Sequence, residues 1–433
     1  MHPCQKNNLQ TYNLVIKVFK FGGASVKDAD GVKNLAKIIA LNQADQVLII
    51  VSAMGKMTNA LEKLTEAYVK QEDTVHELFD EIKKYHEQIL SNLFNDSKHP
   101  VFDEVANTFI EIDWILEDEA HTDYDFNYDQ IVSIAELVSS RIIAAYLNHL
   151  GLNTQWIDAR GFIHTDNTYR EGKLDWDKTC RSIQRLPEQL QNSFVITQGF
   201  IGGTSENFTT TLGREGSDFT AAIFASCLKA GSVTIWKDVP GVLNSDPKLF
   251  NDAQKYEELP YSEALEMAYY GATVIHPKTI KPLQNAGIPL YVKPFLFPEE
   301  NGTRIDQYAR LNKNIPAIIV KKDQILVSIS SINFSCISEE NLSKIFKGLA
   351  NAHIKLNMMQ VSALSFSVCF DWDKLKFEKL SGSLQNEFKL KYNTGLELMT
   401  IRHYKREQLV GLIANKTILL EQFSRNMAQF VLK

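Results

Sequence analysis

A glycine-rich stretch near the middle of the chain, TTTLGREGSDFTAAI at residues 209–223, concentrates side chains that could do chemistry. Arg214 stands in it, and Ser217 and Asp218 follow within the next four residues. An arginine can hold a carboxylate through two parallel hydrogen bonds, and glycines let the backbone pass close to a bound group. The apolar residues 194–202 predict a buried strand before the stretch, and the residues after it predict a helix. The stretch therefore predicts a binding turn, although Asp218 can also be a simple helix N-terminal cap.

A second glycine-bearing turn lies near the N-terminus, with the sequence Lys20-Phe21-Gly22-Gly23. Paired glycines allow backbone N–H groups to approach an anion, and the lysine adds a compact positive charge. The lysine precedes the glycines, so this is not a P-loop of the Walker type. The pattern indicates an anion-binding turn, with an ordinary tight turn between a strand and a helix as the alternative.

Two further polar residues sit close to predicted apolar elements. Thr58 follows the strand predicted at 46–51 and offers a hydroxyl to an anion, or else caps the next helix. Glu136 lies beside the apolar stripe of a helix predicted at 128–147, where it could hold an ammonium group or remain solvated. Arg214 and Glu136 together would make an anion site and a cation site, which suits the two ends of an amino acid.

A polar loop follows the strand predicted at 232–236 and surrounds a Pro-Gly turn. It contains Lys237, Asp238 and Lys248. Such a loop is suited to the phosphates and base of a nucleotide. Ordinary turn chemistry is the alternative interpretation.

The elements that must position these residues alternate between strand and helix over the first 300 or so residues. This alternation predicts an α/β fold with an open, mainly parallel sheet covered by helices, which binds ligands at the carboxyl ends of its strands. Residues 62–129 are charged and predict a helical excursion or a solvated face. Polar, turn-rich residues at 298–303 predict a domain boundary, and β-α-β-β patterns beyond it predict a separate α+β module. We expect a catalytic domain at residues 1–300 and a regulatory region at 315–433.

The bulk properties are those of an ordinary globular chain of 433 residues, of which 44% are hydrophobic and 23% charged. The net charge of −6 gives no basic footprint for nucleic acid. The N-terminus is polar and the apolar runs have strand length, so neither a signal peptide nor a membrane span is predicted. Five cysteines without a CxxC pattern cannot all pair, which favours a reducing compartment and a cytoplasmic location.

The ordered set of motifs resembles that of the aspartokinases over nearly the full length of the chain. The matching motifs are Lys20-Phe21-Gly22-Gly23, Met57-Thr58-Asn59, Glu136, Thr211-Leu212-Gly213-Arg214-x-Gly216-Ser217-Asp218, Asp238-Val239-Pro240-Gly241 and Gly271-Ala272-x-Val274-Ile275-His276-Pro277. That family has the amino-acid-kinase fold, an open, mainly parallel eight-stranded sheet between helices, followed by ACT-type regulatory domains. The resemblance implies phosphorylation of L-aspartate on its β-carboxylate by ATP with Mg²⁺. The product is 4-phospho-L-aspartate, on the way to lysine, threonine and methionine.

The resemblance also implies a role for each matching residue. The catalytic pair would be Lys20, which neutralises the transferred phosphoryl group, and Asp218, which orders that lysine. The α-carboxylate and α-ammonium of the substrate would be held by Thr58, Arg214, Glu136 and Ser217. The nucleotide site would be lined by Lys20, Gly22, Gly23, Lys237, Asp238, Leu243, Lys248 and Thr273.

The chain departs from the family in the nucleotide loops. Lys237 and Thr273 stand where many members have a threonine and a lysine respectively, so the two residue types are exchanged. We expect Lys237 to supply the cation that is lost at position 273. Leu243 replaces a tyrosine of the family, which leaves the contacts to adenine open.

The tail resembles the effector-binding units of the family. Its expected effector residues are Asn341, Leu342, Asn357 and Met358. Asn357 and Ala363 stand where lysine-sensitive relatives place acidic groups, which speaks against lysine as the effector. The second ACT unit is short, so we expect it to serve packing or assembly into a homodimer or higher homo-oligomer.

Two other functions are compatible with parts of the pattern. One is a catalytically silent amino-acid sensor that uses the fold and the tail only for binding. The other is a kinase for a different acidic amino acid. The combination of Lys20, Arg214 and Asp218 favours phosphoryl transfer over the sensor.

Overall fold

The computed structural model describes residues 15–272, 275–333, 335–414 and 416–433, so the predicted site residue Thr273 lies outside the described part. The chain divides into two compact units. The first comprises residues 15–242, 257–265 and 275–311, and the second comprises residues 243–256, 266–272 and 312–433. The last change of unit follows residue 311, and two earlier segments, residues 243–256 and 266–272, belong to the second unit.

The first unit is built on an eight-stranded sheet, as the sequence predicts. The strands of this unit are β1 Ile16–Phe21, β2 Gln46–Val51, β3 Thr154–Trp156, β4 Phe194–Gln198, β5 Ile201–Gly203, β6 Thr209–Thr211, β7 Ser232–Lys237, β8 Glu258–Pro260, β9 Leu290–Pro294 and β10 Thr303–Asp306. The sheet runs in the order β3-β4-β2-β1-β7-β9-β10-β8, with β5 and β6 forming a separate antiparallel pair. All neighbours in the sheet are parallel except β9 and β10. The turns after β1, β2, β4 and β7 therefore meet at one edge, where such sheets bind ligands.

Helices cover this sheet. In chain order they are α1 Ala29–Ala40, α2 Met57–Val69, α3 Val75–Leu93, α4 Val101–Glu117, α5 Tyr124–His149, α6 Trp176–Ile183, α7 Pro187–Leu190, α8 Gly216–Leu228, α9 Tyr261–Tyr269 and α10 Pro277–Ala286. The helical excursion predicted at 62–129 corresponds to α2, α3, α4 and the start of α5. By length and composition α5 could cross a membrane, but 83% of its apolar window is buried within the protein, as in a core helix.

The single strand predicted at 194–202 is wrong in one respect. The structure breaks it into β4 and β5 around Gly199 and Phe200, and Phe200 has a φ of +73°. Residue 199 at this break is a glycine because a Cβ there would lie 2.4 Å from the Cβ of Ser217. Local hydrophobicity does not encode this approach of two segments.

A disulfide bond, which the sequence did not predict, joins Cys180 in α6 to Cys227 in α8. Cys336 and Cys369 are free thiols, and Cys4 lies outside the described residues. The bond weakens the argument from cysteine content for a reducing compartment. It also encloses the Arg214 turn in a covalent loop.

The second unit is the predicted α+β module. Its elements are β11 Ala317–Ser331, α11 Glu339–Asn351, β12 Leu356–Val361, β13 Phe366–Asp371, α12 Lys374–Leu384, β14 Phe388–Arg402, α13 Arg406–Ile413, β15 Ile418–Phe423 and β16 Met427–Leu432. The strands form one antiparallel six-stranded sheet in the order β12-β13-β11-β14-β16-β15. One core lies between this sheet and helices α11 and α12. A smaller core gathers Met399, Ile401, Leu409 and Phe430, against which Phe250 packs.

Candidate active site

One cavity of about 380 Å³ opens at the edge of the first unit where the strand ends meet. Its lining includes nine of the residues that the sequence singled out as site residues. They are Lys20, Gly22, Gly23, Thr58, Glu136, Ser217, Asp218, Lys237 and Asp238. Residues far apart in the sequence thus share one space, because β1, β2 and β7 are neighbours and point the same way.

An ion cluster of one carboxylate and two ammonium groups forms the charged wall of the cavity. Nζ of Lys20 lies 2.7 Å from Oδ1 of Asp218, and Nζ of Lys237 lies 3.3 Å from Oδ2. The side chain of Asp218 is fully buried and that of Lys20 is 6% exposed. Burial opposes ionisation of Asp218, but the charges of Lys20 and Lys237 outweigh it and hold the pKa of the carboxyl below its usual range. Asp218 is therefore an ionised partner of both lysines and does not cap α8.

The turn after β1 brings backbone rather than side chains to the cavity. The amide of Gly55 donates to the carbonyl of Gly23 at 3.0 Å, which joins this turn to the loop after β2. A Cβ on Gly23 would lie 2.6 Å from the carbonyl oxygen of Ala53 and 3.0 Å from that of Gly55. Only glycine fits between these two loops, so the paired glycines reflect close backbone approach.

Glu136 reaches the same cavity from the middle of α5 and is only 3% exposed. The solvated alternative for this glutamate is therefore wrong. Burial raises its pKa to about 8, although the charge of Lys20 and a hydrogen bond from the amide of Ala53 act in the opposite direction. Its Oε2 has no hydrogen-bond partner among the described residues. A buried carboxyl oxygen without a partner is costly in the empty site, and a bound cationic group would satisfy it.

Helix α8 brings Ser217 and Asp218 to the cavity on its first turn. The helix is preceded by Glu215, whose φ of +55° is unusual for a residue other than glycine. Glu215 and Phe200 both line the cavity, and neither was singled out from the sequence. The position of Glu215 between Arg214 and Gly216, inside the glycine-rich turn, was the sequence signal that could have found the first of them.

Thr58 lies inside α2. The N-cap residue of this helix is Lys56, and no side chain caps the helix by a hydrogen bond. The alternative that Thr58 caps this helix is therefore wrong. The loop between β2 and α2 is held by Ser139 of α5, whose hydroxyl donates to the carbonyl of Ser52 at 2.7 Å. Ser52, whose hydroxyl the sequence also offers to an anion, and Gly55 of this loop line the cavity as well.

Other predicted residues lie away from the cavity lining. The side chain of Arg214 is exposed, and the described part of the chain offers it no ion-pair partner. Leu243 and Lys248 belong to the second unit, with Leu243 half-buried and Lys248 exposed. Arg214 is therefore not among the residues that line the cavity.

The predicted effector residues have structural roles. Asn341 closes a capping box with Ser338 at the start of α11, and Leu342 packs against the core between sheet and helices. Met358 is buried in a small cluster of strand side chains. Asn357 joins a polar network, in which its Oδ1 accepts from Lys321 at 2.7 Å and its Nδ2 donates to Asp371 at 2.9 Å.

A comparison with known families agrees with this fold. Residues 16–294 match the amino acid kinase family, and the chain belongs to that family. Over 360 residues it is 32% identical to lysine-sensitive aspartokinase 3 of Escherichia coli, covering 82% of this chain and 78% of that one. Aspartokinase 1, chloroplastic, of Arabidopsis thaliana is 30% identical over 420 residues, which are 94% of this chain and 72% of that one. Within the amino acid kinases, the protein is an aspartokinase.

Solved structures support the same assignment. The crystal structure of E. coli aspartokinase III with aspartate and ADP, in its R-state, superimposes with a TM-score of 0.83 at 28% identity and covers 96% of both chains. The T-state of that enzyme with lysine and aspartate gives a TM-score of 0.78 at 28% identity, covering 96% of this chain and 95% of that one. The predicted amino-acid-kinase fold followed by an α+β regulatory region is thus confirmed.

Proposed function

We propose that this aspartokinase transfers the γ-phosphoryl group of ATP to the β-carboxylate of L-aspartate within the cavity beside Lys20. The product is 4-phospho-L-aspartate, the first intermediate on the route to lysine, threonine and methionine. The observation that supports this assignment is the buried cluster of Lys20, Asp218 and Lys237 in the same cavity as Glu136. It combines positive charge for a phosphoryl group with a carboxylate for an ammonium group.

The amino-acid end of the substrate is assigned to the side of the cavity near α5. Glu136 receives the α-ammonium group, which supplies the missing partner of Oε2. Thr58 and Ser217 offer hydroxyls to the substrate. Arg214 adjoins the lining residue Glu215 and binds the α-carboxylate by turning its exposed side chain inward.

The chemical step needs no general base, because a β-carboxylate with a pKa of about 3.9 is ionised at neutral pH. One carboxylate oxygen forms a bond to the γ-phosphorus, and the bond to the β,γ-bridging oxygen breaks, leaving its electron pair on ADP. No proton moves. The obstacle is the approach of two anions, so positioning and positive charge carry the catalysis. Lys20 and the amides of Gly22 and Gly23 supply them.

The nucleotide is assigned to the side of the cavity formed by the end of β7. Its proposed neighbours in the first unit are Lys237 and Asp238. Mg²⁺ fits as a companion of ATP, because Asp238 lines the cavity and would offer it a carboxylate beside the phosphates. Mg²⁺ is usually held by phosphates, waters and one or two carboxylates, and when bound it neutralises phosphate charge.

Regulation, assembly and location remain proposals for this chain. An amino-acid effector and self-association into a homodimer or larger homo-oligomer are assigned to the second unit, whose relatives include an enzyme named as lysine-sensitive. The expected location is cytoplasmic, although the chloroplastic relatives and the Cys180–Cys227 disulfide leave other compartments open.

The decisive test is the Lys20→Met variant, assayed with ATP, Mg²⁺ and L-aspartate while hydroxylamine traps any acyl phosphate. Loss of the Lys20 charge should lower kcat by about 100-fold to 1,000-fold, as removal of a transition-state charge partner does. Asp218 keeps Lys237 as its partner, so the fold should survive.

The matched control is Lys17→Met, which changes a lysine on the same strand that pairs with Asp45 outside the cavity. It should retain activity. Wild-type protein that binds aspartate but forms no hydroxamate would instead support the amino-acid sensor. Hydroxamate formed with another acidic amino acid in preference to aspartate would point to a different acceptor.

A further inference from the structure

Lys237 has contacts beyond those expected of a residue that only lines the nucleotide site. It is the last residue of β7, and its side chain is 17% exposed. Its ammonium group shares the carboxylate of Asp218 with Lys20, so two cations converge on one buried anion. The cluster keeps a net positive charge at the cavity wall.

The order of the strands separates the two lysines. Strand β1, which carries Lys20, lies between β2 and β7. On the β2 side, the loop that contains Ala53 contacts Gly23 and donates a hydrogen bond to Glu136. Lys237 lies on the opposite side of Lys20, where β7 continues into the Asp238-Val239-Pro240-Gly241 turn.

The electrostatics of the buried groups agree with this order. The charge of Lys20 acts on the pKa of both Glu136 and Asp218, whereas that of Lys237 acts on Asp218 and not on Glu136. Lys20 is therefore close to the amino-acid end of the cavity. Lys237 is close to the end assigned to the nucleotide.

We infer that Lys237 is a catalytic residue for the leaving group, which stabilises the charge that develops on ADP as the phosphoryl group departs. Lys20 faces the incoming carboxylate, and Lys237 faces the β,γ-bridging oxygen that receives the electron pair of the breaking bond. Asp218 holds both ammonium groups in place before substrate binds. This inference rests on the proposed function and divides the charge stabilisation of that reaction between two lysines.

The test is the Lys237→Met variant, which removes the charge and keeps the length of the side chain. A leaving-group cation interacts most strongly in the transition state, so kcat should fall by about 100-fold while the Kd for ADP changes little. Calorimetric titration with ADP measures the Kd and also shows that the variant is folded. Lys237→Arg, which keeps the charge, should recover part of kcat.

A second measurement separates a role at the leaving group from general electrostatics. Wild type and variants are assayed with α,β-methylene ATP and α,β-difluoromethylene ATP, whose ADP-like products differ in basicity. Without Lys237 the reaction should depend more strongly on the leaving group, so the preference for the difluoromethylene analogue should rise in Lys237→Met. It should stay near the wild-type value in Lys20→Met and in the surface control Lys17→Met.

The outcomes distinguish this inference from the proposed function. An active wild type with a Lys237→Met variant that keeps kcat, or that loses only nucleotide affinity, overturns the role of Lys237 alone. An unchanged preference between the two analogues overturns it as well. A wild type that forms no aspartyl hydroxamate overturns both proposals.

Discussion

The carboxyl group of Glu136 illustrates how burial prepares a side chain for its ligand. In the free protein its pKa is raised to about 8, chiefly by burial, so below that pH the group is mostly protonated and neutral. An ammonium ligand needs the carboxylate. In the proposed binding of the α-ammonium group, aspartate ionises Glu136 at pH 7, and the cost of this ionisation lowers the apparent affinity.

We predict that the KM for aspartate rises by about tenfold for each pH unit below 8, because one proton must leave as the substrate binds. Steady-state kinetics between pH 6 and pH 9 measure this slope. The Glu136→Gln variant should bind aspartate weakly at all pH values and show no such slope. A wild-type KM that is flat across this range would contradict the assignment of the ammonium group to Glu136.

Much of the site could be predicted at this scale because Lys20, Glu136 and Asp218 are chemically distinctive and stand beside glycine-rich or apolar segments. Trp236 and Phe200 also line the cavity, but apolar side chains give no sign of a site in a sequence. The exposed orientation of Arg214 could not be predicted either, since a side chain's direction depends on packing around the turn.

Helix α3 carries a buried histidine whose environment determines how the element responds to acid. His86 has no exposed surface, its Nδ1 donates to the carbonyl of Ile82 at 2.8 Å, and its Nε2 has no partner among the described residues. Burial lowers the pKa of His86 to about 4, although the hydrogen bond to Ile82 acts in the opposite direction. The folded protein therefore holds the ring neutral where an unfolded chain would protonate it.

We predict that this histidine makes the first unit less stable in acid. The unfolded state binds the proton first, so stability contributed by the neutral ring is complete above pH 6.5 and is lost as the pH falls toward 4. The loss amounts to about 3 kcal/mol in the free energy of unfolding. Urea unfolding at several pH values measures it, and His86→Leu should reduce this pH dependence.

The matched control is His76→Leu, which changes an exposed histidine on the same helix. Its pH dependence should remain that of the wild type. An identical slope in the wild type and His86→Leu would show that other groups cause the acid sensitivity.

The sequence predicted most elements to within a few residues, and the exceptions have a physical cause. The helix predicted at 128–147 is found as α5, Tyr124–His149, because its apolar stripe is long and regular. Helix α5 was expected to bury one stripe, but Ser133, Glu136 and Ser140 are buried as well. Other elements pack around most of this helix. Hydrophobic periodicity predicts only the single face that carries the apolar residues, so it misses burial on the other sides.

The whole molecule consists of two units, and segments of the single chain alternate between them. Segment 243–256 is held in the second unit, where the amide of Ile318 donates to the carbonyl of Asn244 at 2.7 Å and Phe250 packs against Met399 and Ile401. In segment 266–272, the carboxylate of Glu266 lies 2.7 Å from Nη1 of Arg402. Sequence patterns could not predict this interleaving, because the composition changes visibly only near residue 300.

We predict that a fragment of residues 312–433 is not independently stable. Without segment 243–256, the core around Phe430 is exposed and the carbonyl of Pro316 loses the hydrogen bond from Asn244. The fragment should bind the dye ANS and unfold without a sharp transition, as loosely packed states do.

Substitutions in the full chain provide the matched comparison. Phe250→Ala should lower the protection of β14 and β16 amides from hydrogen exchange, because Phe250 packs against that core. Leu249→Ala changes an exposed neighbour and should not. A fragment that unfolds as cooperatively as the second unit of the intact protein would show that segment 243–256 is dispensable.

The interleaving also sets an order of events on the ribosome. Segment 243–256 is synthesised before the strands on which it packs, and translation at about 5–20 residues per second makes it wait roughly 7 to 29 seconds for residue 402, the end of β14, to follow. During that interval Phe250 lacks Met399 and Ile401, its partners in the folded protein. The nascent chain therefore carries an exposed aromatic side chain that chaperones can recognise until β14 has emerged.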